Sequence, residues 1–216
     1  KEYQNAAYWF RKYEKIEKVN PVMRLDALNR IGDCYFLQRD FTQALKSYNQ
    51  SVEIGGTYKG VDYALYQKAF VLGLQKRYNE KIDVLKDLQT RFPKSDWNDD
   101  ALFEIGKAYI ALNKNDEAIA SFEDISTKFP ASNPVVRKAQ LQIAMLQYNS
   151  GKVAEAAATY KKVAVTYPNT EEAATALSAL ESIMVDTNKV DEFNQLAQQL
   201  GKSSTTKEDS LQYKAA

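Results

Sequence analysis

Residues 101–129 read ALFEIGKAYIALNKNDEAIASFEDISTKF. Apolar residues fall at helical spacing in two runs, parted at Asn113-Lys114-Asn115, a polar triplet of turn-forming type. Pro130 follows Phe129 and stops the second run. The stop recurs. Phe92-Pro93, Phe129-Pro130 and Tyr167-Pro168 place prolines 37 and 38 residues apart, and each is followed by a hydroxyl at Ser95, Ser132 and Thr170. A step of 37 back from Pro93 lands on Gly56, another helix breaker. Segments 27–55 and 139–167 show the same two runs, parted at Arg39-Asp40 and at Ser150-Gly151-Lys152. Each period is therefore a helix, a short turn and a second helix. Asn133 before Pro134 reads as an N-cap with Pro at the first helical position. Thr170 before Glu171 and Glu172 reads as an N-cap with carboxylates in the first turn, where the helix dipole favours them.

Composition agrees. The 216 residues carry 29 Lys+Arg and 28 Asp+Glu, a net charge of +1, which argues against a nucleic-acid partner. Hydrophobic residues at 44% and charged residues at 26% are ordinary for a globular chain, and eight Gly with five Pro favour helices. There is no His, so these residues cannot build a Ser-His-Asp or Cys-His site, an HExxH zinc site or a histidine switch. One Cys forms no internal disulfide and no multi-thiolate metal site. No apolar run approaches the ~18 residues of a membrane span, so direct membrane insertion is not expected. No cofactor is expected.

The small residues, aromatics and prolines of these periods resemble the tetratricopeptide repeat family. Gly106, Tyr109, Ala118, Phe122 and Pro130 match its pattern in one copy. Gly32, Tyr35, Ala44 and Tyr48 match in the first, and Ala144, Ala156, Tyr160 and Pro168 in the fourth, with Gln147 where Tyr is expected. Small residues suit a close helix crossing. The copy between Gly56 and Pro93 is looser, with Ala69 at one crossing position but Lys81 at the other; the last copy is degenerate, with Glu181 and Phe193 there. The resemblance implies an all-α right-handed superhelical solenoid of antiparallel helix pairs, about eleven helices in one array over 1–200. Its parts are an orphan helix at 1–19, repeats at about 22–56, 60–93, 97–130 and 134–168, and a degenerate pair at 170–200. Residues 201–216 read as a linker and the start of a further helix. Both ends read as internal to a larger protein. The ~37-residue spacing and the aromatic-Pro-x-hydroxyl turn resemble a bacterial, cell-envelope subset of the family, such as the outer-membrane β-barrel assembly lipoprotein and the Tol–Pal coordinator. A periplasmic or outer-membrane-associated location is expected on that ground, with the cytoplasm as the alternative.

Few residues invite chemistry. Cys34 aligns with Val71, Ala108 and Leu146 and reads as a buried small hydrophobe. Asp96, Asp99, Asp100 and Glu104 lack calcium-loop spacing and lie where a helix should begin, which favours a capping role over a carboxylate hydrolase or a metal loop. Gly55-Gly56 lacks a phosphate-loop pattern and reads as a helix end. Lys68 and Lys81 stand at apolar repeat positions. Either their stems are packed with the ammonium groups in water, or they form a cationic spot.

What remains is a surface. The resemblance implies a groove lined by the first helix of each repeat. The lining would be Asn29, Asp33 and Phe36, then Tyr63, Tyr66 and Phe70. Phe103, Lys107 and Ile110 would follow in the third copy, and Leu141, Met145 and Tyr148 in the fourth. Each set forms one stripe on its helix. Two readings stay open, a binding groove or packed core. The expected function is non-catalytic protein or peptide binding. The alternatives are a self-associating spacer, with aromatic Tyr8, Trp9 and Phe10 exposed at the N-terminal edge, and a carboxylate-based glycan hydrolase.

Overall fold

The computed structural model describes residues 2–16 and 20–201. They form eleven α-helices and no strand. The notions of a linker and a further helix at 202–216 lie outside the described residues. In chain order the helices are α1 (Glu2–Glu14), α2 (Pro21–Leu37), α3 (Phe41–Gly55), α4 (Val61–Leu74), α5 (Tyr78–Arg91), α6 (Asn98–Ala111), α7 (Asn115–Lys128), α8 (Pro134–Asn149), α9 (Val153–Thr166), α10 (Glu171–Asp186) and α11 (Val190–Gln199). The chain divides, within α7, into two compact units, Lys1–Ala118 and Ile119–Ala216.

The repeat is visible in the turns. Arg39, Lys76, Asn113, Gly151 and Asn188 all take left-handed φ values of 55–77°, one in the turn after each of α2, α4, α6, α8 and α10. The following N–H donates five residues back in every case, as from Asp40 to the Tyr35 carbonyl and from Lys114 to the Tyr109 carbonyl, both at 2.9 Å. This is the wide hydrogen bond that closes a helix end after a left-handed residue. Two of the hydroxyls that follow the aromatic-Pro pairs have a task too. Thr170 Oγ1 donates to the Tyr167 carbonyl at 2.8 Å and accepts from Ala173 N–H, capping α10. Ser95 Oγ accepts from Trp97 N–H and donates to Asp62 Oδ2 at 2.6 Å. Asn133 caps α8 by accepting from Val135 N–H, with Pro134 at the first position.

In the first unit α2 and α3 run antiparallel. A Cβ on Gly55 would strike Leu25, and one on Gly32 would lie 2.4 Å from the Tyr48 ring. Gly32 is therefore fixed by the approach of Tyr48, which is fully buried with Ala44. α3 packs on α4 and α5 on α6, and the first helices α2 and α4 also touch. Leu25, Val61, Leu65, Leu85, Leu88 and Ile105 build the core of this unit. In the second unit α8 packs on α9, α9 on α10, and α8 on α10, around Ala144, Ala156, Val163, Leu180 and Ile183. Phe122 is fully buried there. Gln147, the departure from the expected Tyr, accepts a hydrogen bond from Thr159 Oγ1 at 2.8 Å. Among the described residues no helix is long and apolar enough to cross a membrane.

Lys81 requires a correction. It neither snorkels into water nor forms an open cationic spot. It is 6% exposed and ion-paired with Glu104 of α6. Its stem crosses Gly73 of α4, where a Cβ would sit 3.2 Å from Lys81 Cδ and Nζ. Glu104 also accepts from Lys107 Nζ at 2.8 Å. Burial pushes the Glu104 carboxyl up, but the hydrogen bonds from Lys107 and Lys81 outweigh it and hold it below the usual carboxylate range. Lys68 is only half-buried, and burial pulls its pKa down against the nearby Asp87 and Glu80.

Candidate functional site

The first-helix face of the first unit is built by α2, α4 and the start of α6. On α2, Asp33 Oδ1 accepts two phenol hydrogen bonds, from Tyr48 Oη of α3 at 2.7 Å and from Tyr63 Oη of α4 at 2.8 Å. Burial, and then the bond to this carboxylate, push both phenols up in pKa. One turn along, Phe36 meets Phe70 edge to face with ring centroids 5.8 Å apart, and Phe36 also leans on Phe41 at 6.0 Å. Tyr66 stacks on Trp97 at 4.7 Å, and Tyr63 reaches the same indole at 5.7 Å. The result is two aromatic groups across α2 and α4, Phe41–Phe36–Phe70 and Tyr63–Trp97–Tyr66, with the Asp33 carboxylate bonded to Tyr63 of the second.

These side chains are neither free nor sealed. Phe36, Tyr63, Tyr66 and Phe103 are half-buried, and Phe70 is 38% exposed. The core of the same helices is made by other residues, Leu65, Ala69 and Leu72 on α4 and Leu102 and Ile105 on α6. Lys107 is exposed, tied to Glu104, with its ammonium 6.0 Å from the Phe103 ring; Ile110 is half-buried. In the second unit Met145 and Tyr148 are 40% and 42% exposed on α8, while Leu141 leans on the α9–α10 core.

Asn29 departs from the expected lining. It is buried, and its Nδ2 donates to the Gly60 carbonyl at 2.9 Å, tying α2 to the turn before α4. Its Oδ1 is buried without a hydrogen-bond partner among the described residues. The position belongs to the joint between two helix pairs and not to an open surface.

Trp97, Tyr48 and Phe41 were missed as members of this face. Trp97 carried a signal, since it lies 37 residues after Gly60 and 37 before Pro134. A large aromatic where neighbouring copies carry Gly and Pro marks a local addition. Tyr48 carried none, because its ring is core and only its hydroxyl reaches the face.

The acidic cluster resolves into a helix start. Asp99 and Asp100 stand in the first turn of α6, and Glu104 is held low by its lysines, the opposite of the raised value a general acid needs. Among the described residues no group of His, Cys, Asp and Glu is arranged to hold a metal ion. Cys34 is buried, and burial followed by Asp33 pushes its thiol up, away from a reactive thiolate.

Comparison with known proteins bears on the repeat. No curated protein matches the chain. Among solved structures, BtubC from P. vanneervenii is similar with a TM-score of 0.69 at 9% identity, over 93% of this chain and 87% of that one. MamA is similar with a TM-score of 0.61 at 17% identity, over 82% and 89% of the two chains. YrrB, described as a TPR protein with an unusual peptide-binding site, gives 0.60 at 15% identity, over 88% and 90%. At these identities the likeness shows the fold, an all-α solenoid of helix pairs. Models of the tetratricopeptide repeat match residues 25–54, 63–95 and 103–171. These are the stretches of α2–α3, α4–α5 and α6–α9, more than half of the chain, which belongs to the tetratricopeptide repeat family.

Proposed function

We propose that this chain is a non-catalytic protein-binding scaffold, and that the α2–α4–α6 face of its first unit takes a peptide segment. One observation carries the reading. Phe36 meets Phe70, and Tyr63 and Tyr66 both meet Trp97, all of them part-exposed, although their helices also bury Leu28, Ile31, Leu65 and Leu72. A helix apolar on two faces, one of them part-wet, has surface left for a ligand. Aromatics suit the task because they bury much area for little lost rotamer freedom. YrrB supports the reading as a structural neighbour described as peptide-binding. Selection of short displayed peptides on the chain, followed by titration against Phe70→Ala, tests it. We expect the substitution to weaken binding by about 1–3 kcal/mol. Equal binding by both proteins would refute the site.

Self-association is a second reading, favoured by the N-terminal edge. Trp9 is 64% exposed, and Tyr8, Met23, Ile16 and Val22 are exposed near it. Phe10, Tyr13, Ile16 and Met23 help to line an apolar trough of about 1030 Å³ between α1 and α2. Light scattering on the wild type and on Trp9→Ser should show a concentration-dependent mass that the substitution abolishes. A constant monomer mass in both would remove this reading. We also propose a bacterial cell-envelope location, resting on the ~37-residue spacing and the aromatic-Pro-x-hydroxyl turn; fractionation of the producing cells tests it.

A further inference from the structure

The carboxylate in the aromatic face is unevenly used. Asp33 Oδ1 takes both phenol hydrogens, while among the described residues Oδ2 has neither a hydrogen bond nor an ion pair. The nearest cation on the same helix, Arg30, is drawn one turn back by Asp26 at 3.5 Å. On α6, Asp100, Glu104 and Asp99 push the Tyr66 phenol up, after burial itself. Lys107 is already committed to Glu104. This side of the first unit thus offers an unshared carboxylate oxygen and negative charge beside tyrosine and tryptophan rings, with Arg30 and Gln67 near the Tyr63 phenol.

A ligand group that answers all three properties is cationic, rich in N–H donors and flat enough to lie on a ring. A guanidinium has five donors and stacks on aromatic faces, and an ammonium meets the charge and the ring quadrupole. We infer that the peptide held by this face carries an arginine or lysine whose head group meets Asp33 against the Tyr63 ring, with an apolar neighbour lying on Phe70. The inference rests on the peptide-binding reading and adds the ligand's charge and register to it. The phenol bonds fix the carboxylate before the ligand arrives, so little side-chain freedom is lost on binding.

The test uses two displayed short-peptide libraries, identical except for a central residue fixed as Arg in one and Gln in the other. Peptides selected on the wild-type chain are titrated against wild type, Asp33→Asn and Phe70→Ala at low and high salt. Asn keeps an acceptor for the two phenols and removes the charge. We expect enrichment from the Arg library, roughly ten-fold weaker binding to Asp33→Asn, and a smaller gap at high salt. Exchange of the selected Arg for Glu should abolish binding to the wild type, a readout that needs no variant. Equal enrichment from both libraries, or binding unchanged by Asp33→Asn while Phe70→Ala weakens it, overturns the cationic inference and leaves the peptide reading standing. Binding indifferent to Phe70→Ala as well overturns both.

Discussion

At the α2–α3 crossing Ala44 is fully buried and Phe36 lies outside it on the aromatic face. At the α4–α5 crossing, 37 residues on, Lys81 stands in place of Ala44 and Gly73 in place of Phe36. Both pairs approach closely, but bulk has been exchanged between the helices. Gly73 leaves the space that the Lys81 stem fills, and Glu104 of the next helix supplies the charge that a buried ammonium requires. One crossing is apolar, and its Ala44 and Tyr48 also pack on Ala64 and Val71 of α4. The other is ionic, and it makes α5 depend on α6. A repeat can therefore change its crossing residues if total volume and charge remain balanced, and the link to the next repeat is then an ion pair in place of apolar packing.

Glu104→Ala should give the largest effect, since it strands the buried Lys81. A loss of about 3–5 kcal/mol is expected in urea melts, and a loss below 1 kcal/mol would mean that the ammonium reaches water. Lys81→Ala should cost less, about 2–3 kcal/mol, because Lys107 remains on Glu104 while the stem leaves a void against Gly73. At the apolar crossing, Gly32→Ala should cost about 1–3 kcal/mol by driving a methyl into the Tyr48 ring. Gly73→Ala should cost less than that, its nearest neighbour being the flexible Lys81 stem.

The ionic crossing should also respond to acid. The Glu104 carboxyl is lowered from its ordinary value of 4.5. Its contribution is complete above that value and is lost as pH falls through the lower folded-state value. Melts between pH 6 and 3 should show a steeper decline for the wild type than for Glu104→Gln; parallel declines would assign the acid sensitivity elsewhere. The smallest effect belongs to the turns. Lys76→Gly places the residue best suited to a left-handed φ of 60° and should stabilise by about 0.5–1 kcal/mol.

The fold was legible because its punctuation is local. Three aromatic-Pro pairs and the apolar runs between them set the repeat, and Asn133 and Thr170 cap the helices their sequence context indicated. The partner of Lys81 was not legible, because Glu104 is 23 residues away and reads equally well as an ordinary residue near a helix start. Asn29 and Asp33 share a stripe on α2, yet one is tied into a joint and the other stands in the aromatic face. Periodicity assigns a face, and only packing against α4 tells the two apart.

The central claim is that the aromatic stripe on α2 and α4 is surface and not core. Urea melts of Phe70→Ala beside Phe122→Ala test it most directly. Phe122, fully buried, should cost about 3–5 kcal/mol. Phe70, 38% exposed and resting on Phe36, should cost about 1–2 kcal/mol. Equal losses for the two would contradict the account and return the stripe to the core.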